Sequence, residues 1–217
     1  MAARRVTRIA VMPPDRRLAL AKYRWRAPVY DLGAVYLDPI RRRAIDKLRL
    51  RRGEVVLDVG CGTGLSFPLI EDGIGPEGRV IGIELSPEMA ARARQRVEDN
   101  AWKNVTLLES AVEDAEIHME ADAVLFCFTH DITRSLPALE NVFRQVRAGG
   151  RMAAAGAKWA PWWTGPLNFY LWLHNRRFVT TFEGFARPWS YLEHFVPGLE
   201  VERLGGVYLA WGAVPAR

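Results

Sequence analysis

The stretch from Val55 to Gly64 reads VVLDVGCGTG, an apolar run carrying one aspartate and ending in glycines at 60, 62 and 64. A short apolar run that breaks into alternating glycines is a strand feeding a tight turn that opens a helix. Glycine lets such a backbone approach a ligand closely, because no Cβ intervenes. A dinucleotide fingerprint would need G-x-G-x-x-G, and Leu65 occupies its last position. Asp58, just ahead of the turn, would repel a pyrophosphate seated on a helix N-terminus. The turn suits a ligand that carries a positive charge.

The next segment reads RVIGIELSPEM. Val80 to Ile83 predict a second buried strand, with Glu84 at its carboxyl end, 24 residues after Gly60. In open parallel sheets, ligands bind beyond the carboxyl ends of the strands, and an acid at about this spacing bonds ribose hydroxyls. Ser86 followed by Pro87 starts a helix, Ser as N-cap and Pro at the first helical position.

The same reading along the chain predicts strands at 54–59, 79–84, 104–109, 121–127 and 150–156. Helices are predicted at 39–50 with Asp38 as N-cap, and at 65–72, 87–101 and 135–147. The last of these is expected to stop at Gly149-Gly150. Alternating strands and helices mean a parallel sheet covered on both faces. LEVERLGG and VYLAWGAV predict an antiparallel hairpin at the sheet edge, turning at Gly205-Gly206.

VLDVGCGTG followed by VIGIELSPEMAARAR resembles the class I S-adenosylmethionine-dependent methyltransferase superfamily, over roughly residues 53 to 156. The resemblance implies a seven-stranded, mostly parallel Rossmann-like α/β sheet with an antiparallel C-terminal hairpin. It implies S-adenosylmethionine as cofactor, with Asp58, Gly60, Gly62 and Gly64 cradling its methionine part and Glu84 holding its ribose. Cys61, Thr63, Leu85, Val112 and Cys127 are the expected further lining. Many relatives carry an aspartate after the third strand that contacts the adenine amino group; Ala111 stands there, so adenine is expected against backbone, Ser110 or apolar groups. One domain is expected over 1–217: a basic arm and helix (1–52), a cofactor core (53–156), a substrate or lid insert (157–198) and the hairpin (199–217).

At 217 residues and 49% hydrophobic, the chain can bury a full α/β core. Two cysteines offer no disulfide or metal framework and fit a reducing compartment. With no run of 18 apolar residues and Arg8 breaking the short N-terminal apolar stretch, a cytoplasmic location is expected. Residues 1–52 hold 15 Lys+Arg against 4 Asp+Glu, and the remainder 15 against 21. A basic arm ahead of an acidic core suggests an anionic partner: phosphate headgroups, peripheral contact with an anionic membrane surface, or nucleic acid. The alternative is a solvated face, since Ile40, Ala44, Ile45 and Leu48 form an apolar stripe that leaves Arg41 to Arg43 largely outside.

Three segments should carry acceptor chemistry. YRWRAPVYDLGAVY in the arm is similar to the opening of ubiquinone/menaquinone C-methyltransferases and bacterial phosphatidylethanolamine N-methyltransferases, and Tyr23 or Tyr30 either packs the arm or closes over the sulfonium. After the fourth strand comes Thr129-His130-Asp131. His130 has the pKa range of a base for a protonated acceptor, and Asp131 could orient it or bind a substrate ammonium; a structural role is the alternative. The third segment, residues 157–189, concentrates five of the eight tryptophans, with a helix expected from Pro166 to Phe178 carrying Leu167, Tyr170, Leu171 and His174 on one side. It reads as lid packing, a lipid-facing segment or an aromatic box for a methylated ammonium. Glu183 could pair with a substrate cation or with Arg187.

The expected function is methyl transfer to a small-molecule or lipid-like acceptor, favoured as N-methylation of an amine. C-methylation of a quinone or aromatic ring is the alternative, and an inactive cofactor-binding protein the remoter one. Nucleic acid is disfavoured, because no Asn-Pro-Pro-type motif follows the fourth strand and no RNA-binding module is appended. No metal site is expected.

Overall fold

The computed structural model describes residues 15–24, 31 and 35–216, without the side chains of Tyr23 and Arg24. Seven strands form one sheet in the order β3-β2-β1-β4-β5-β7-β6. They are β1 (Val55–Val59), β2 (Arg79–Glu84), β3 (Val105–Glu109), β4 (Ala121–Cys127), β5 (Val146–Ala157), β6 (Glu200–Leu204) and β7 (Val207–Ala213). The first five pair in parallel, and β7 runs antiparallel between β5 and β6. This is the mostly parallel Rossmann-like sheet with a C-terminal antiparallel pair that the sequence implied. Among the described residues, the α-helical segments beside it are α1 (Arg16–Arg24), α2 (Asp38–Leu48), α3 (Phe67–Ile74), α4 (Pro87–Asp99), α5 (His130–Thr133), α6 (Leu136–Arg144) and α7 (Gly165–Asn175).

Strand alternation decides what each side chain can reach. In β1, Leu57 and Val59 join a core with α6 and the short helix Pro188–His194, where Phe143, Trp189 and Leu192 pack. Val56 joins the opposite core with α2 and α3, against Leu48, Phe67 and Ile70. Asp58 shares the parity of Val56 and is sent toward α2. On β4 the same rule puts Ala123, Leu125 and Cys127 on the α2 side. The strand order reverses between β1 and β4, and a ligand cleft is expected beyond their carboxyl ends.

Two expectations are corrected. The helix expected over 135–147 ends at Arg144, and Gly149-Gly150 lies inside β5 instead of stopping a helix. Pairing with the chain end overrides the stop signal: Gly149 N–H donates to Val214 O (2.8 Å) and Val214 N–H to Gly150 O (2.7 Å). Gly149 still takes a left-handed φ of 72°, where β5 slips register against β4. Asp38 is the first residue of α2 and not its N-cap, a place held by Leu37. Ser86 does cap α4, accepting from Met89 N–H (3.4 Å).

Gly82, in the middle of β2, tests this packing. A Cβ there would lie 2.9 Å from Cys61 Sγ, Leu107 Cδ2 and Phe67 Cζ at once. With Phe67 fully buried and Cys61 nearly so, these groups have little room to retreat. Gly82→Ala should fold but lose about 1–3 kcal/mol, read as a lower urea midpoint at unchanged m-value.

Candidate active site

A cleft opens where β1, β2 and β4 end, with a volume of about 1120 Å³ including its mouth. Gly60 and Gly62 line its floor, Glu84, Leu85 and Ser86 one wall, and Ala111 and Val112 lie beside them. Cys127, Phe128, Thr129, His130 and Asp131 form the wall from β4. Above, α1 contributes Ala19 and Leu20, and the segment after α7 contributes Phe178 and Val179.

The glycine turn spends its N–H groups inside the protein. Gly60 and Cys61 both donate to Ile83 O (2.8 and 3.0 Å), Gly64 donates to Cys61 O (2.9 Å), and Gly62 donates to Glu84 Oε2 (2.9 Å). These four donors are not available to cradle a phosphate. Glu84 Oε1 accepts from Ser86 N–H (2.8 Å), so one carboxylate joins the turn after β1 to the start of α4. Burial raises the pKa of Glu84, opposed by the N–H groups of Ser86, Gly62 and Leu85. At Gly62 (φ 59°) a Cβ would project into open cleft, meeting only the tip of Met89 at 3.6 Å. Gly60 is needed for packing: a Cβ there would lie 2.6 Å from Thr129 Cγ2 and 2.7 Å from Ile132 Cδ1.

Asp58 lies beneath this floor, 1% exposed, and does not line the cleft. Burial pushes its pKa up to about 7, against Arg41 and the Ser66 hydroxyl, which favour the charge. Its Oδ2 is buried without a hydrogen-bond partner among the described residues. Arg41, itself 5% exposed, pairs with Asp38 and hydrogen-bonds Cys127, whose thiol burial raises to about 12. The expectation that Arg41 coats an outer face is thereby corrected. Its neighbours are also engaged, Arg43 with Glu202 (2.7 Å) and Lys47 over the Trp211 ring (3.5 Å).

The other expected cofactor residues divide. Cys61 packs into the core under Gly82. Thr63 is buried and donates to Asp31 Oδ1 (2.6 Å), an acid also paired with Arg96 (2.7 Å). Gly64 packs on the Phe67 ring, and Ser110 N–H donates to Glu84 O (3.0 Å). Cys61, Thr63, Gly64 and Ser110 do not face the cleft, whereas Leu85, Ala111, Val112 and Cys127 do. Tyr30 and the Tyr23 side chain lie outside the described residues.

His130 faces the cleft at the start of α5, edge-on to Phe185 with centroids 5.1 Å apart. Its pKa falls to about 4, through burial first and Arg134 second, with the Glu183 backbone opposing. The pKa range expected of a base near neutrality is corrected: His130 is neutral there and a weak acceptor of protons. Asp131 does not serve it. Both Asp131 oxygens accept from Thr180 N–H (3.1 and 3.0 Å), tying the segment after α7 to the end of β4. Glu183 is exposed, and Arg187 pairs with Glu193 (2.9 Å).

The arm over 1–28 reads as irregular or helical, and sequence reasoning missed that its helix α1, like Phe128, lines the cleft. Arg16 binds Glu113 (2.5 Å) and Asp114 (2.8 Å) on one side of the cleft, and Lys22 Nζ donates to Arg176 O (2.9 Å) and Val179 O (2.6 Å) on the other. No motif marks such a strap, although the spacing of Arg16 and Lys22 with Ala19 and Leu20 between them is helical. Phe128 holds a left-handed φ of 59°, a strained state for a bulky residue, and no sequence signal announces it.

A Rossmann-like sheet ending in an acid-braced glycine turn, with a largely apolar cleft above it, is the arrangement expected of the methyltransferase class. A family model described as a methyltransferase domain matches residues 50–161, just over half of the chain. The chain belongs to that family, within the class I superfamily that uses S-adenosylmethionine. It is 32% identical over 103 residues to an arsenite methyltransferase of Halobacterium salinarum, covering 46% of this chain and 26% of the relative. A demethylmenaquinone methyltransferase of Listeria welshimeri is 28% identical over 134 residues, 60% of this chain and 57% of the relative. The chain thus spans between about a quarter and three fifths of these relatives' lengths. Among solved structures, a DhpI-SAH complex superposes with a TM-score of 0.64 at 20% identity, covering 93% of this chain and 97% of that one.

Asp58 gives a pH test. An acid whose pKa rises from 3.8 to about 7 on folding adds no cost when both states are protonated, and its cost grows as pH climbs through that window. Between pH 4 and 7 the wild type should therefore lose stability relative to Asp58→Asn, by on the order of 3 kcal/mol in total. Chemical denaturation of both proteins across that range measures the difference.

Proposed function

We propose that the cleft holds S-adenosylmethionine against Gly62 and Glu84 and methylates an amine on a small or lipid-like acceptor. Two features fit the cofactor: the Cβ-free floor at Gly62 and the Glu84 carboxylate beside it. The bound cofactor supplies a methyl group already activated by its sulfonium. The protein's task is to align the acceptor and exclude water, which can lower the barrier by several kcal/mol. Leu20, Phe128, Ile132, Phe178 and Val179 give an apolar space for that alignment.

The observation that carries the amine reading is His130. It is the one histidine of the cleft lining, and at a pKa of about 4 it draws a proton from an acceptor poorly at neutral pH. Asp131 is occupied by Thr180. An acceptor that brings its own lone pair, a neutral amine, needs no base. A phenolic ring alkylated at carbon would need one. The relatives are mixed in their named acceptors, arsenite and demethylmenaquinone, and do not decide between these chemistries.

Calorimetry with S-adenosylhomocysteine tests the cofactor half. Glu84→Ala should weaken binding at least about tenfold, since it removes charge-assisted bonds on which the turn depends. Unchanged affinity would place the cofactor elsewhere. A methyl-donor screen over amines, phospholipids and quinols tests the acceptor half, and product found only as ring-methylated quinol would refute the amine reading. For that acceptor, His130→Gln should keep kcat within about tenfold, and the wild-type rate profile should show no inflection near pH 6.5 from this residue.

A further inference from the structure

Helix α7 is inverted. Its inward positions carry Asn168, Leu171 and Asn175, while Phe169, Tyr170, Trp172 and Leu173 face outward. Asn168 Nδ2 donates to Ala160 O (3.2 Å) and Pro161 O (3.3 Å), its Oδ1 accepts from Ala160 N–H (2.9 Å), and Asn175 donates to Leu171 O (2.8 Å). The Asn168 bonds reach outside the helix and fix that side against the segment before it, so the orientation is specified. Just before the helix, Trp162 is 85% exposed and Trp163 70%, stacked edge to face at 6.1 Å. Of Leu167, Tyr170, Leu171 and His174, expected on one side of this helix, only Leu171 is buried. The insert's other tryptophans explain themselves: Trp159 stacks on Phe182, and Trp189 is buried against Tyr208.

A helix apolar around most of its circumference is normally buried. The charge around this one names what covers it. No Asp or Glu occurs from Lys158 to Phe182, while Arg176 and Arg177 follow the helix directly and Arg176 lies 5.0 Å from the Trp172 ring. The basic helix α1 adjoins the same end through Lys22. Tryptophan and tyrosine rings backed by arginines are the composition of a surface that sits at the level of lipid headgroups. A second copy fits less well. A two-fold contact would set this patch against itself, bringing cations together with no acid of the patch to pair them.

We propose that α7 and the Trp162-Trp163 turn dock the enzyme on an anionic lipid bilayer. Phe178 and Val179, two residues past the arginines, line the cleft, so docking sets the cleft mouth close to the headgroups. The docking stands independently of which atom is methylated.

Flotation of the full chain with phosphatidylcholine vesicles, with and without phosphatidylglycerol, tests it. Wild type should float with the anionic vesicles at low salt and progressively less as salt rises, with a blue shift of tryptophan emission. A variant carrying Trp162→Ser, Trp163→Ser, Phe169→Ser and Trp172→Ser should lose roughly tenfold or more in partitioning. Arg176→Glu with Arg177→Glu should weaken anionic binding alone. S-adenosylhomocysteine affinity, measured in parallel, shows that each variant is folded; a wild type that floats without binding this compound would defeat the cofactor reading and leave the docking intact. Wild type that fails to float, or aromatic variants that float as well as it does, would overturn the docking. So would light scattering that shows a dimer of the wild type dispersed by the serine substitutions.

Discussion

The cleft depends on one buried carboxylate. Glu84 accepts from Gly62 N–H on one side and Ser86 N–H on the other, so the turn leaving β1 and the helix following β2 share one anchor. Without it, two N–H donors at the edge of the sheet would face an apolar space. An unsatisfied buried donor costs about 1–3 kcal/mol, and the turn would be expected to relax toward other partners. Gly60 and Cys61 return their N–H groups to Ile83 O, and Gly64 returns its own to Cys61 O. A turn that has satisfied itself presents Cα hydrogens and one carboxylate to its ligand. That surface accepts a cationic amino-acid and sugar ligand and has little to offer a pyrophosphate, which would want the N–H groups already taken.

Beneath the turn lies the second constraint. Strand parity turns Asp58 away from the cleft toward α2, where Arg41 has been buried to meet it. Arg41 also reaches Asp38 and Cys127, and so links the helix before the sheet to both strands at the point where the strand order reverses. The resemblance implied a direct grip of Asp58 on the cofactor. The geometry gives it a position behind the floor, outside the cleft lining.

Much of the fold was legible because its signals are local. Continuous apolar runs, a Ser-Pro cap and a Gly-Gly hairpin turn each fix one element, and β1 to β4 fall within a residue of their expected bounds. The Gly149-Gly150 stop failed because a non-local partner, Val214, outbid a local cap. The site was legible where backbone shape or the strand end defines it, as at Gly62 and Glu84. It was not legible where pairing across the fold decides. Asp131 and His130 sit side by side in sequence and invite a dyad, yet the first is claimed by Thr180 and the second is desolvated beside Arg134 and Phe185. Arg41 stood in an arginine run that read as surface, and only the register of α2 shows that one of the three points inward.

Three ties converge on the short segment after α7, and they connect acceptor space to surface. Asp131 holds Thr180 N–H, Asp15 N–H donates to Thr180 Oγ1 (3.3 Å), and Lys22 caps Arg176 O and Val179 O. The first tie comes from the end of β4 and the other two from α1, so the roof of the cleft is fixed to the sheet on one side and strapped on the other. Asp131 and Lys22 also lie near enough to interact electrostatically. The bond of Lys22 to Arg176 O is exposed, whereas its bond to Val179 O and the Asp131 tie are part-buried. The outward-facing helix and the strap therefore meet at the same segment. Under the proposed docking, the roof of the cleft is tied to the sheet through Asp131 and to α1 through Lys22, and the lipid surface would lie against the outward side of the helix that leads into it.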